Sequence, residues 1–287
     1  MNKIIDICKF IILAFLLTFI MGIPSLFIGF YQGLYDAGTG TNLSVLETNQ
    51  FLMIVELMGG IMLPLFLLAT YKQNKQELDI VMPFSKEKRL SKYILGYTLG
   101  LLLLLTIWSI SVYFSGFQIT MVWSMSNFRL LILFFLGYGF QGMAEEILCR
   151  GYLQGRLMKI TQKRVAIIIS ALFFSFMHAT NDGITLMALI SLFLFGIFTG
   201  IIRSYTNDLW AVGAFHSAWN FMQGPVLGVS VSGNSNQALI LESKDTPNKV
   251  FFNGGLFGLE GSGLTVIIFV IVITLVLFTG EKRRKYK

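Results

Sequence analysis

The sequence predicts an all-α polytopic membrane protein, with about eight transmembrane helices and both termini in the cytoplasm. Three observations carry this. Of 287 residues, 55% are hydrophobic and only 13% are charged, about half the charged fraction of a soluble domain. Mean hydropathy is +0.71. Basic residues also gather on one side of the apolar stretches, as orientation in a bilayer requires. Together these exclude an ordinary soluble fold, a disordered chain and a small disulfide scaffold. A formal charge of +7 would suggest nucleic acid in a soluble protein. Here the positions of the charges matter more than their sum, and no nucleic-acid partner is expected.

A span needs about 20 mostly apolar residues. Eight stretches qualify, at roughly 8–30, 51–71, 93–114, 130–158, 165–179, 184–202, 209–224 and 262–280. The first is not a cleaved signal, because its apolar run exceeds the roughly 7–15 residues of a signal core and no small-x-small site closes it. Lys3 and Lys9 precede it, and Lys72, Lys75, Lys86, Lys88, Arg89 and Lys92 lie between the second and third stretches. Arg150, Arg156, Lys159, Lys163 and Arg164 surround the fourth-to-fifth connection. Arg203 ends the sixth stretch, and Lys282, Arg283, Arg284, Lys285 and Lys287 follow the last. Of 22 basic residues, only Arg129, Lys244 and Lys249 fall on the other side. That split puts the termini inside and the protein in the cell membrane, and the composition points to a bacterial source.

Segments follow from these stretches. Residues 1–124 hold the N-terminal spans and a basic cytoplasmic loop at 72–92 that could touch anionic headgroups; a topological anchor is the simpler reading. Residues 125–225 hold the polar core, and 226–261 form an extracytoplasmic loop rich in Gly, Ser and Asn. Unstructured connections of that length are usually lids or linkers. Residues 262–287 are the last span and a basic tail. No internal repeat, strand pattern, dinucleotide fingerprint or P-loop is visible. Asn42-Leu43-Ser44 fits a glycosylation sequon that matters only in a eukaryotic host. Cys8 and Cys149 cannot form a disulfide framework.

A charge inside a span costs at least about 2.5–3.5 kcal/mol at the helix centre, so each needs a partner, a cavity or a task. Span four carries Glu145, Glu146 and Arg150, span five ends in Phe174 and His178, and span seven holds His216 and Asn220. These are the protein's only two histidines. Glu146 and Arg150 stand at i and i+4 and can pair. Glu145, turned about 100° from Glu146, is expected to be unpaired and to point elsewhere. His216 and Asn220, again i and i+4, can face one cavity. Glu145 and His178 each lie about 20 Å along their helices from the Lys159–Arg164 connection, and His216 reaches a similar depth. A lone histidine on an apolar helix is most often a packing residue, and an isolated Glu–Arg pair is often a clamp. Convergence of all these groups on one layer argues against a purely structural account. Phe174 reads as packing, Cys149 as a small buried hydrophobe, and Trp108, Trp123, Trp210 and Trp219 as interface or core aromatics.

At these residues the chain resembles the CAAX protease and bacteriocin-processing (Abi) family of intramembrane endopeptidases. The family's motifs E-E-x-x-x-R, F-x-x-x-H and H-x-x-x-N/D stand here as Glu145-Glu146…Arg150, Phe174…His178 and His216…Asn220, in order and without departure, over roughly residues 125–225. The resemblance implies an eight-helix bundle around a membrane-embedded polar cavity. It also implies peptide-bond hydrolysis: Glu145 and His178 activate water, His216 and Asn220 stabilise the oxyanion, and Glu146 and Arg150 support the site. General chemistry agrees, since desolvation strengthens a carboxylate as a base and fixed donors in a dry cavity stabilise developing charge. The implied substrate is a membrane-associated peptide or protein; peptide maturation and bacteriocin self-immunity are both roles of bacterial members.

Two other readings stand beside this one. A non-catalytic immunity or scaffold protein would sequester a peptide in the same cavity. A proton-coupled transporter would use buried Glu and His as a relay, but its paired broken helices in related halves are not seen. No cofactor is expected. Zinc or another divalent metal would need His178 and His216 as ligands, and the pairing of His216 with Asn220 favours hydrogen-bond chemistry instead.

Overall fold

The computed structural model describes residues 3–39, 53–234 and 238–285; the sequon at Asn42 lies outside them. The chain is mainly helical. In order, α1 spans Lys3–Thr39, α2 residues 53–59, α3 Met62–Tyr71, α4 Lys75–Val81 and α5 Arg89–Tyr113. A strand, β1 (Phe117–Met121), precedes α6 (Phe128–Glu146), which continues through a π-helical segment, Ile147–Leu153, into α7 (Gln154–Ile160). Then come α8 (Lys163–Met177), α9 (Leu186–Thr206) and α10 (Trp210–Phe221), which runs into a second π-helical segment, Met222–Val226. β2 (Leu241–Asp245), α11 (Val250–Asn253) and α12 (Gly263–Lys285) finish the fold.

Helical stretches therefore occupy every position where the sequence places a span. Among the described residues, five are long and apolar enough to cross a bilayer: Lys3–Pro24, Met53–Tyr71, Arg89–Tyr113, Met125–Ile160 and Leu186–Thr206. Helices α8, of 15 residues, and α10, of 12, are shorter, and Gly263–Thr279 is a shorter apolar helix. Apolar side chains point outward along these helices, among them Phe19, Leu95, Leu102, Ile132 and Val270, while Glu146, Arg150 and Arg203 are buried. That inversion is what a lipid-facing surface requires, since every buried charge must be satisfied internally.

The chain forms two compact units, each drawn from several stretches. The first takes residues 1–100, 124–160 and 208–221. Its central contact is α6 against α10, made by small residues that let backbones approach. A Cβ on Gly142 would lie 2.7 Å from the Ser217 backbone nitrogen, and one on Gly213 would meet the Met143 thioether. Ser217 Oγ donates to the Gly213 carbonyl at 2.8 Å and lies 3.3 Å from that of Gly139. Buried Asp208 starts α10: its carboxylate accepts from Trp210 N (2.7 Å), Ser85 N (3.2 Å) and Lys92 Nζ (2.7 Å). This tie anchors the basic loop to the helix that carries His216.

The second unit takes residues 101–123, 161–207 and 222–287. Its α8–α9–α12 core is aromatic, with Phe174 stacked on Phe195 (centroids 5.5 Å apart) and Phe195 edge-on to Phe269 (5.8 Å). Two expectations are corrected here. Strands do exist: β1 pairs antiparallel with β2, Phe117 opposite Asp245 through Met121 opposite Leu241. The five-residue segments lie far apart in sequence, so neither shows a strand pattern alone. The described residues of the long Gly-rich segment are also folded rather than an unstructured lid or linker. Phe257, Leu259 and Asn253 are buried, Ser243 Oγ donates to the Leu227 carbonyl (2.7 Å), and Glu260 accepts from Ser232 N (2.8 Å) and Oγ (2.7 Å). Gly254 (φ +79°) and Gly258 (φ +88°) supply left-handed turns that side chains rarely adopt.

Candidate active site

The first unit brings together Glu145, Glu146, Arg150, His216 and Asn220. Glu145 and Glu146 end the regular part of α6, and the π-helical segment begins at the next residue. Such segments recur at functional sites because they re-aim the side chains beside them. Arg150, inside that segment, still reaches Glu146, Nη1 to Oε1, at 3.1 Å, with both side chains fully buried. The pairing expected from spacing is present.

The same Glu146 oxygen accepts from His216 Nδ1 at 3.0 Å. The other ring nitrogen, Nε2, faces Glu145 Oε2 at 3.7 Å. The two carboxylates leave α6 about 100° apart, and one imidazole, entering from α10, meets both with nitrogens on different edges. Glu145 is therefore not unpaired, as sequence alone suggested. It also accepts a hydrogen bond at Oε1 from Gln141 Nε2. Gln141 Oε1 in turn accepts from Asn220 Nδ2 at 2.9 Å. His216 and Asn220 do share a face of α10, as their spacing indicates, and both turn it toward α6.

Gln141 is the residue that sequence reading missed. Its signal was available, since it stands one helical turn before Glu145 at i−4. With His216 doubly protonated, the charges of Arg150 and His216 balance those of the two glutamates, which matters where water cannot screen them.

His178 belongs to the second unit, as the C-terminal cap of α8. Its Nδ1 donates to the Phe174 carbonyl at 2.8 Å, satisfying one of the carbonyls that a helix end leaves unpaired. In the neutral ring this bond leaves the lone pair on Nε2. The Phe174 ring packs against the imidazole, centroids 4.9 Å apart, and is buried, so the F-x-x-x-H spacing orients the histidine by carbonyl and ring together. The following turn is held by Asn181 N donating to the His178 carbonyl (3.1 Å) and Asn181 Nδ2 to the Ser232 carbonyl (2.7 Å).

Among the described residues, no three of His, Cys, Asp and Glu are grouped so as to hold a metal ion. Cys149 is buried and not in a disulfide. No curated protein matches the chain. Residues 127–222 match the family model described as type II CAAX prenyl endopeptidase Rce1-like, a stretch that contains Gln141, Glu145, Glu146, Arg150, His178, His216 and Asn220. Over that segment, a third of its length, the chain is similar to the CAAX protease family.

Proposed function

We propose that this chain is a glutamate-dependent intramembrane endopeptidase acting on a membrane-associated peptide or protein. The supporting observation is the network of buried Glu145, Glu146, Arg150, His216 and Asn220 with part-buried Gln141. In the proposed reaction Glu145, with His178 as the family motif assigns it, takes a proton from water. The water oxygen bonds to the scissile carbonyl carbon, and the carbonyl electrons move onto oxygen. His216 Nε2–H and the Asn220 amide donate to that oxyanion, the role preorganised donors perform best in a dry site. When the intermediate collapses, the C–N bond breaks and the proton held by Glu145 passes to the leaving nitrogen. Glu146 fixes the His216 ring through Nδ1, and Arg150 holds Glu146.

The residues do not fit a metal centre well. His216 Nδ1 is committed to Glu146, and the asparagine beside it is an uncommon ligand, so the proposed route uses no metal. Elemental analysis of active protein, with chelation and zinc add-back, tests this; stoichiometric zinc that restores chelated activity would recast His178 and His216 as ligands.

The central experiment compares membrane peptides from cells carrying wild-type protein and Glu145→Gln. Loss of the base should lower cleavage by about 10²-fold or more at normal expression. Wild-type turnover by purified Glu145→Gln would remove Glu145 from the chemistry. An unchanged peptide profile would favour the peptide-binding immunity or scaffold reading.

A further inference from the structure

We propose that Gln141 is a positioning residue that couples Glu145 to Asn220 and sets the direction of both. The inference rests on the endopeptidase reading of this site and adds a residue that lies outside all three motifs.

The argument begins with donors and acceptors. An ionised carboxylate only accepts, so the Gln141 group facing Glu145 Oε1 must be its NH2. That turns Gln141 Oε1 the other way, where it can only accept. The Asn220 group that meets it, at 2.9 Å, must then be the NH2 as well. One carboxylate thus orients two amides in succession. Asn220 is left with its second Nδ2 hydrogen for another acceptor, while its Oδ1 is buried without a hydrogen-bond partner among the described residues. Without Gln141, the Asn220 amide could rotate by half a turn and present oxygen where the oxyanion needs a donor.

The backbone under Gln141 is held firmly enough for this role. Gly142 sits against the Ser217 backbone and Met143 against Gly213, so the residues following Gln141 form the close α6–α10 contact. The groups facing Glu145 are then Gln141 on one oxygen and His216 Nε2 on the other, with Glu146 and Arg150 behind the histidine.

Two substitutions separate this role from a plain helix clamp. Gln141→Met keeps the length and removes both hydrogen bonds. Gln141→Glu keeps the shape and the acceptor for Asn220 but, while ionised, cannot donate to Glu145. The probe is an internally quenched prenylated peptide with a CAAX terminus, cleaved by protein in lipid nanodiscs. Both variants should lower kcat by about 10–100-fold, the usual effect of losing a group that orients a catalytic one, with KM changed much less. The second readout is infrared. The Glu145 carboxyl band, identified by its disappearance in Glu145→Gln, should shift in Gln141→Met as one hydrogen bond is lost. This arm needs no turnover. An unmoved band together with wild-type kcat in a folded Gln141→Met would overturn the proposal, as would a change confined to KM. If Gln141→Met does not fold, the kcat of Gln141→Glu decides in the same way. Glu145→Gln retaining full turnover would instead remove Glu145 as the base on which the proposed function depends, and the band shift would still report on the Gln141–Glu145 bond.

Discussion

The Glu146–Arg150 pair offers the sharpest quantitative test. Both side chains are fully buried, 3.1 Å apart, and the carboxylate oxygen that meets Arg150 also accepts from His216 at 3.0 Å. At about 3 Å and an effective dielectric of about 20, the attraction is roughly 5 kcal/mol. Most of it offsets the cost of taking both charges out of water. Glu146→Gln leaves the guanidinium facing a neutral amide, and Arg150→Met leaves the carboxylate without its cation. Each should cost about 3–5 kcal/mol, since an uncompensated buried charge remains. The double variant has no such charge, so its cost should fall short of the sum by about 1–3 kcal/mol. The assay is reversible SDS unfolding in mixed micelles for the four proteins, at one lipid composition. Costs that add to within about 0.5 kcal/mol would refute the argument that the two charges stabilise each other.

Three further outcomes are expected. Gly142→Ala places a methyl 2.7 Å from the Ser217 nitrogen and should destabilise by about 1–3 kcal/mol. Gly139→Ala, with nothing within 4 Å of the added carbon, should be near neutral in the same unfolding assay. Asn253→Leu removes bonds from Asn253 Nδ2 to the Gly116 (3.0 Å) and Thr246 (3.1 Å) carbonyls. Limited proteolysis should then cut the 238–253 segment faster, and an unchanged rate would show that Asn253 does not secure it. In a Cys8→Ser background, Lys86→Cys should label from the cytoplasmic side and Lys249→Cys from the opposite one; labelling of both from one side would break the proposed topology.

Much of the helical plan was legible because apolar runs are local, and hydropathy along the chain is enough to mark them. The same holds for relations within one helix: Glu146 meets Arg150, and His216 shares a face with Asn220, because 3.6 residues per turn puts i and i+4 side by side. The resemblance of the three motifs also came from local spacing. Tertiary structure alone decided that one imidazole meets both glutamates, since this depends on how closely α10 approaches α6 at Gly142 and Gly213. It likewise decided that Gln141 links Glu145 to Asn220 and that Phe117–Met121 pairs with Leu241–Asp245. It also folded the Gly-rich segment that composition marked as a linker. Each of these joins residues distant in the chain, and helical periodicity carries no information across such a gap. Close packing and the need to pair every buried polar group supply it.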